Sequence, residues 1–236
     1  MRPQVILLAG GLGTRLRSVV RDVPKPLALV AGRPFLEHLL DFWIGQGACR
    51  FVLSVGYLGE QVQAHFGDAY RSVPLAYAME REPLGTGGGL LLALAKIAGI
   101  DPVFAANGDT FFALDAVAMH AFHLARRADF TLGLFPSADK ARYTPVDLAA
   151  DGRVVSLRPA AAREPLANGG VYALEPAAVS KAGFRAGDRV SIEEELLPGM
   201  LKAGARIYGY ASDSRFIDIG VPEDYARAAS VIGCPR

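Results

Sequence analysis

The sequence predicts an α/β fold, a mostly parallel sheet under helices with a smaller β-rich second half, on three observations. Short apolar runs at Val5–Ala9, Phe51–Val55 and Pro102–Ala106 lack polar alternation, as strands buried on both faces do. Segments with helical spacing separate them, which gives the βαβ alternation of a right-handed parallel sheet. Glycine clusters follow the strand ends at Gly10-Gly11-Leu12-Gly13 and again at Gly85-Thr86-Gly87-Gly88-Gly89. The 236 residues, 51% hydrophobic and 21% charged, exclude a disordered chain and suffice for one large core.

Val5–Ala9 reads as the first strand. Pro34 to Trp43 reads as a helix, because Phe35, Leu36, Leu39, Leu40 and Trp43 share one face. Phe51–Val55 is the second strand, and a turn at Gly56 leads to a helix through Glu60–Phe66. Pro74–Met79 is the third. The glycine loop Glu80–Gly89 then feeds an apolar helix over Leu90–Ile97. Pro102–Ala106, the fourth strand, ends in Asn107-Gly108-Asp109-Thr110, and a helix from about Asp115 to Arg126 precedes the strand Phe130–Phe135.

From Ser137 to Ala167 short strands are expected, with a hairpin turn at Asp151-Gly152. Asn168-Gly169-Gly170 precedes the strand Val171–Leu174. Ser191 and Glu194 form a capping box for a helix reaching Leu197. Arg206–Tyr210 and Phe216–Gly220 are the last strands, and Pro222, Glu223 and Asp224 open the final helix. Without repeats or a long linker, 1–236 is expected to be a single domain.

The chemistry concentrates at four places. The first is the strand, glycine loop and two cations of residues 5–26: Gly10, Gly11 and Gly13 allow close approach of backbone amides to an anion, and Arg15 and Lys25 add charge. Pro24 and Pro26 give Lys25 a rigid seat. The loop lacks the third glycine of a dinucleotide site and the Gly-Lys-Ser/Thr of a Walker loop. The second is the pair Asp109 and Asp218, each closing a short strand beside a glycine, where two carboxylates suit Mg²⁺. The third is Glu80–Gly89, where Gly85, Thr86 and Gly87 leave room beside a flat base. The fourth is Asn168-Gly169-Gly170, suited to a sugar or its phosphate. His120 and His123 have no third ligand at zinc spacing, and no serine sits in a nucleophile elbow.

The net charge of +1 asks for no nucleic-acid partner. The two cysteines, Cys49 and Cys234, form no disulfide scaffold or zinc pattern. No stretch reads as a membrane span or a signal peptide, so a cytoplasmic protein without membrane partners is expected.

The runs L-A-G-G-L-G-T-R-L, P-K-P-L, E-P-L-G-T-G-G, N-G-D-T, N-G-G-V-Y and D-I-G-x-P-E-D-Y together resemble, in that order, the sugar-1-phosphate nucleotidyltransferases. Within that family the likeness is greatest to D-glycero-D-manno-heptose 1-phosphate guanylyltransferases, through R-L-R-S-V-V, S-V-G-Y and N-G-D-T-F-F. The resemblance implies a Rossmann-like three-layer nucleotidyltransferase fold. Residues 1–135 would be mainly the nucleotide-binding core. Residues 136–236 would be mainly the sugar-phosphate-binding part, with one metal aspartate and the C-terminal helix.

It implies Arg15, Lys25 and Asp109 as catalytic residues. Leu8, Ala9, Gly10, Gly11, Gly13, Thr14, Arg15, Lys25, Glu80, Pro83, Gly85, Thr86, Asn107 and Gly108 would bind the nucleotide. Tyr143, Arg158, Asn168 and Gly169 would bind the sugar phosphate, and Asp109 and Asp218 would hold Mg²⁺. The implied partners are a nucleoside triphosphate, GTP first, and a sugar 1-phosphate; a homo-oligomer is left open. Two departures stand out. Ser156-Leu157-Arg158-Pro159 replaces the Glu-Lys pair of many relatives, and Arg142-Tyr143-Thr144 replaces Arg-Tyr-Gly. Mannose-1-phosphate guanylyltransferase and uridylyl- or thymidylyltransferase activities are the neighbouring readings. A non-catalytic nucleotide-sugar sensor and a NAD-dependent oxidoreductase are the readings of other classes. The intact charged residues argue against the sensor, and the failed glycine count argues against the oxidoreductase.

Overall fold

A computed structural model describes residues 1–11, 13, 16, 19–20, 23–99, 102–137, 139, 142–158 and 166–233. The first half runs β1 (Gln4–Ala9), a 3-10 turn at Lys25–Leu27, the short hairpin β2 (Leu29–Val30) and β3 (Arg33–Pro34), α1 (Phe35–Gly45), β4 (Arg50–Val55) and α2 (Gly59–Phe66). It continues through β5 (Ala69–Tyr70), β6 (Val73–Met79), α3 (Gly85–Leu94), β7 (Val103–Asn107), β8 (Thr110–Phe112), α4 (Ala116–Ala125) and β9 (Phe130–Pro136). The second half holds β10 (Val146–Leu148), β11 (Val154–Leu157), β12 (Leu166–Leu174), α5 (Pro176–Val179), α6 (Leu197–Lys202), β13 (Ile207–Ala211), β14 (Phe216–Asp218) and α7 (Pro222–Ile232).

Among the described residues, eight strands form the central sheet in the order β13-β9-β12-β7-β1-β4-β6-β5. The core β7-β1-β4-β6 is parallel, as the unbroken apolar runs require. β12 enters antiparallel between β7 and β9, and β13 adds parallel to β9. β1 shows why the run is continuous: Val5 and Leu7 join the core under α1, α2, α4 and α7, while Ile6 faces the core under α3 and α6. The result is three layers. Trp43 anchors the first core, fully buried against Phe104 at 5.3 Å between ring centres.

Three local expectations are corrected. The helix expected over Leu90–Ile97 starts earlier and spans Gly85–Leu94. The glycine run lies inside it because a side chain at Gly87 or Gly88 would meet the backbone of Val190 or Asp188. Asn168-Gly169-Gly170 does not precede its strand but lies within β12, across a register shift between Asn168 and Val171. Gly170 takes φ 68°, and the Asn168 side-chain oxygen accepts from the Gly170 amide at 3.0 Å. At the Ser191 cap the hydroxyl accepts from Glu194 N as expected, but Glu195, not Glu194, returns a bond to Ser191 N, at 2.9 Å. A π-helical turn over Ile192–Leu196 displaces the reciprocal partner by one residue. The hairpin at Asp151-Gly152 forms between β10 and β11.

At the sheet end opposite the glycine loops, His123 is 2% exposed, with its ring nitrogens facing Thr131 (2.8 Å) and Glu175 (3.6 Å). Burial holds this imidazole below its ordinary value of 6.5, against the pull of Glu175. A depressed base leaves the native state binding fewer protons than the unfolded chain. Stability should therefore fall as pH drops through 6.5 towards the lower native value. Thermal melts between pH 7.5 and 5 should show that loss, and His123→Gln should flatten it.

Candidate active site

The site lies at the carboxyl ends of β1 and β7. From β1 the chain passes next to β4 on one side and later to β7 on the other, so a switch point opens between them. Two adjoining hollows share Leu8, Gly11 and Thr86. One, of about 170 Å³, is lined by Leu8, Gly10, Gly11, Glu80, Pro83, Gly85, Thr86 and Gly89. The other, of about 130 Å³, is lined by Leu8, Ala9, Gly11, Lys25, Pro26, Thr86, Asn107, Gly108 and Asp109.

Glycines make the first hollow. A side chain at Gly10 would sit 2.0 Å from the Glu80 carboxylate, and one at Gly89 would crowd both Glu80 and Ser54. Glu80 is pinned on two sides. Ser54 Oγ donates to Oε1 at 3.0 Å and the Leu84 amide donates to Oε2 at 3.2 Å. Each oxygen keeps a free lone pair for a ligand. Ser54, a lone hydroxyl in a buried strand, is a partner the sequence reading passed over except to reject it as a nucleophile.

The second hollow is organised by charge. Lys25 starts the 3-10 turn after Pro24, whose φ of −63° is set by its ring. Its ammonium, on a side chain only 10% exposed, donates to Asp109 Oδ2 at 2.6 Å and lies 4.0 Å from Asp218 Oδ1. Gly13 packs against the stem of Lys25, which ties the first glycine loop to the second cation. Paired strands bring the two aspartates together: β14 runs antiparallel to β8, with Asp218 opposite Thr110, the residue after Asp109. Burial pushes the Asp109 carboxyl up, but the charge and hydrogen bond of Lys25, with Thr110, outweigh it and hold the group low. At Asp218 burial and then the facing Asp109 charge prevail, and the carboxyl is raised.

Two carboxylates thus face one lysine, with hard oxygen donors and mutual repulsion that a divalent cation would relieve. Among the described residues no group of three or more His, Cys, Asp or Glu is arranged to hold a metal. Two carboxylates match the donor set of an ion such as Mg²⁺, which takes one or two carboxylates and completes its shell with water and phosphate.

The fourth sequence feature lies nearby. Asn168 is 9% exposed, and its Nδ2 donates to Tyr172 Oη at 2.8 Å and Glu193 Oε1 at 3.0 Å. A side chain at Gly169 would strike the Phe112 ring, and one at Gly170 would strike Asn107. Glu193 also accepts from Tyr172 Oη at 3.1 Å, while Thr86 accepts from the neighbouring Ile192 amide at 3.0 Å. Glu193 thereby links the Glu80–Gly89 loop, through Thr86 Oγ1 at 3.5 Å, to the Asn168 bend. Sequence reasoning missed it because three consecutive glutamates give no sign of which one turns inward; the π-helical turn decides that.

Tyr143 packs its ring on Phe135 and Phe216, at 5.0 and 5.5 Å between centres. Arg158 is not brought into the Lys25 group. Its side chain is 60% exposed and pairs with Glu194 at 3.0 Å. Thr14 and Arg15 lie outside the described residues, as does Cys234.

The model of the family described as nucleotidyl transferase matches residues 4–233. The chain belongs to the nucleotidyl transferase family. The nucleotidyl transferase chain is 37% identical over 226 residues to the D-glycero-alpha-D-manno-heptose 1-phosphate guanylyltransferase of Aneurinibacillus thermoaerophilus. That match covers 95% of this chain and 96% of the relative. It is 34% identical to the mannose-1-phosphate guanylyltransferase of Mycobacterium tuberculosis, covering 95% of this chain and 63% of that one. Among solved structures it superposes on HddC from Yersinia pseudotuberculosis complexed with GMP-PN. There the TM-score is 0.80 and the identity 32%, covering 96% of this chain and 98% of the other. The nucleotidyl transferase fold accounts for the three-layer architecture, and the glycine-lined cleft falls where an α/β sheet of this kind binds its ligand. Among the described residues, no helix of this transferase is long and apolar enough to cross a membrane.

Proposed function

We propose that this nucleotidyl transferase moves GMP from GTP to D-glycero-α-D-manno-heptose 1-phosphate, releasing pyrophosphate. The observation that carries the reading is the Lys25 ammonium set between Asp109 and Asp218, beside a base hollow floored by the Glu80 carboxylate. Relatives named for this reaction support the choice of sugar. Guanine offers two adjacent donors, N1–H and the N2 amino group, and a carboxylate accepts both in parallel.

A phosphate monoester oxygen is already a nucleophile, so no side chain need remove a proton. The sugar-phosphate oxygen forms a bond to the α-phosphorus as the α–β bridging bond breaks and pyrophosphate leaves. The obstacle is repulsion between two anions, and Lys25 offsets it at the point of closest approach. Arg15, on its match to the family motif, holds the triphosphate. Leu8, Gly10, Gly11, Pro83, Gly85 and Thr86 enclose the base. Asp109 and Asp218 would hold Mg²⁺, which when bound screens the α-phosphate charge. Asn168, Gly169 and Tyr143, on their match to the family motif, would contact the sugar phosphate. Residues 1–135 carry most of the nucleotide side and 136–236 most of the sugar side, in one cytoplasmic domain.

The test incubates the enzyme and Mg²⁺ with each of the four nucleoside triphosphates against a panel of sugar 1-phosphates and follows pyrophosphate release. GTP with the heptose phosphate should turn over fastest; a faster mannose phosphate, or UTP or dTTP, would replace the reading. Glu80→Gln is expected to lower kcat/KM for GTP by about 10- to 100-fold and to narrow the preference over other bases. It places a donor against guanine's donors.

A further inference from the structure

We propose that Arg142 is the positioning residue of Asp218, fixing that carboxylate for the metal through a clamp formed with Asp224. The inference rests on the reading above that Asp218 holds the divalent ion. Arg142 Nη2 donates to the Asp218 backbone carbonyl at 3.1 Å and stands 3.7 Å from its Oδ2. The opposite carboxylate oxygen, Oδ1, accepts from the Gly220 amide at 2.7 Å. The Gly220 hydrogen bond and the Arg142 charge thus engage opposite oxygens of the carboxylate, with Oδ1 turned towards Lys25.

Arg142 is itself held. It pairs with Asp224 in the first turn of α7, a side chain only 8% exposed that Arg227 also binds, at 2.6 Å. Its guanidinium lies 4.9 Å from the centre of the Tyr143 ring. Its Nε is buried with no hydrogen-bond partner among the described residues. A buried donor left unmatched costs stability. A position chosen only for stability would not keep a planar fork with one unmet donor there. The geometry is that of a group orienting a ligand residue, and such outer partners commonly change metal affinity by about 10- to 100-fold. The chain therefore reads its D-I-G-x-P-E-D-Y segment twice. Asp218 faces the cleft, and Asp224, six residues on, holds the arginine that steadies it.

The sign of one measurement separates positioning from simple charge balance. If Arg142 only neutralised Asp218, removing its charge would tighten cation binding. If it positions the carboxylate, removal weakens it. Mn²⁺ is titrated into the full-length, nucleotide-free protein, and free ion is read by electron paramagnetic resonance. Arg142→Gln is expected to weaken Mn²⁺ binding about 10-fold. It should also raise the half-saturating Mg²⁺ of the reaction similarly, while KM for GTP at saturating Mg²⁺ changes less than about twofold. Asp224→Asn, which leaves Arg142 in place without its clamp, should move Mn²⁺ affinity in the same direction by a smaller factor. Arg142→Lys, which keeps the charge but loses the fork, should not restore wild-type affinity. Tighter or unchanged Mn²⁺ binding in folded Arg142→Gln overturns the proposal. Should that variant fail to fold, unchanged binding in Asp224→Asn overturns it instead. Asp218→Asn is the control: if it leaves Mn²⁺ binding intact, the metal reading fails rather than the role of Arg142.

Discussion

Lys25→Ala should lower kcat by at least about 10²-fold while the protein stays folded and still binds GTP. The side chain can be removed without unseating the backbone. The 3-10 turn is held by main-chain bonds from Leu27 N to Pro24 O and Ala28 N to Lys25 O, at 2.8 and 3.0 Å. What disappears is the ammonium that, among the described residues, reaches both aspartates, at 2.6 and 4.0 Å. Two anionic substrates then meet beside Asp109 without its paired ammonium, while Asp218 keeps only Arg142, 3.7 Å from its Oδ2. The loss should appear in kcat more than in KM for GTP, because the base hollow around Glu80 is untouched. Lys25→Arg should rescue little, since a planar fork cannot replace a compact charge seated between two carboxylates. Steady-state pyrophosphate release and circular-dichroism melts check this together. Near-wild-type kcat in a folded Lys25→Ala protein would remove lysine from the mechanism.

The nucleotide half of the cleft was legible in the sequence because its chemistry is local. Gly10-Gly11, Pro24-Lys25-Pro26 and Gly108-Asp109 each carry their reason in adjacent residues: backbone approach, a rigid seat, a strand end. The pairing of Asp109 with Asp218 could be anticipated only as two strand-closing aspartates. That they converge follows from the β8–β14 pairing, a contact across more than a hundred residues. The parallel core followed from unbroken apolar runs. The antiparallel entry of β12 did not, since all nine of its residues are buried and an apolar strand looks alike in either direction.

The sugar half was less legible for a physical reason. Glu193 is selected by a π-helical turn that widens the helix by one residue, and Asn168 by a bulge; neither leaves a composition signal. Arg158 is a different case: its place in the motif suggests a substrate cation, and in this structure its side chain is 60% exposed and paired with Glu194. Surface pairs of this kind contribute little to stability.

Asp218→Asn and Asp109→Asn should both lower kcat by about 10²- to 10³-fold, but they should fail differently. Asparagine keeps the size at either position, turns one acceptor oxygen into a donor amide and removes one charge. At 218 the Gly220 amide still finds an acceptor, so the chain keeps its bend. The metal loses a ligand and the half-saturating Mg²⁺ rises. At 109 the change also frees Lys25 from its 2.6 Å partner, so the ammonium is no longer aimed at the reacting phosphates. Raising Mg²⁺ should therefore recover much of the activity of Asp218→Asn and little of Asp109→Asn. Lys25→Ala supplies the third corner: with the ammonium gone from between the two carboxylates, Mn²⁺ binding to the nucleotide-free protein should not weaken, although turnover collapses. If Mn²⁺ affinity and turnover instead fell together in all three variants, Lys25 and the aspartates would form one structural unit. The division of labour between charge offset and metal holding would then be wrong.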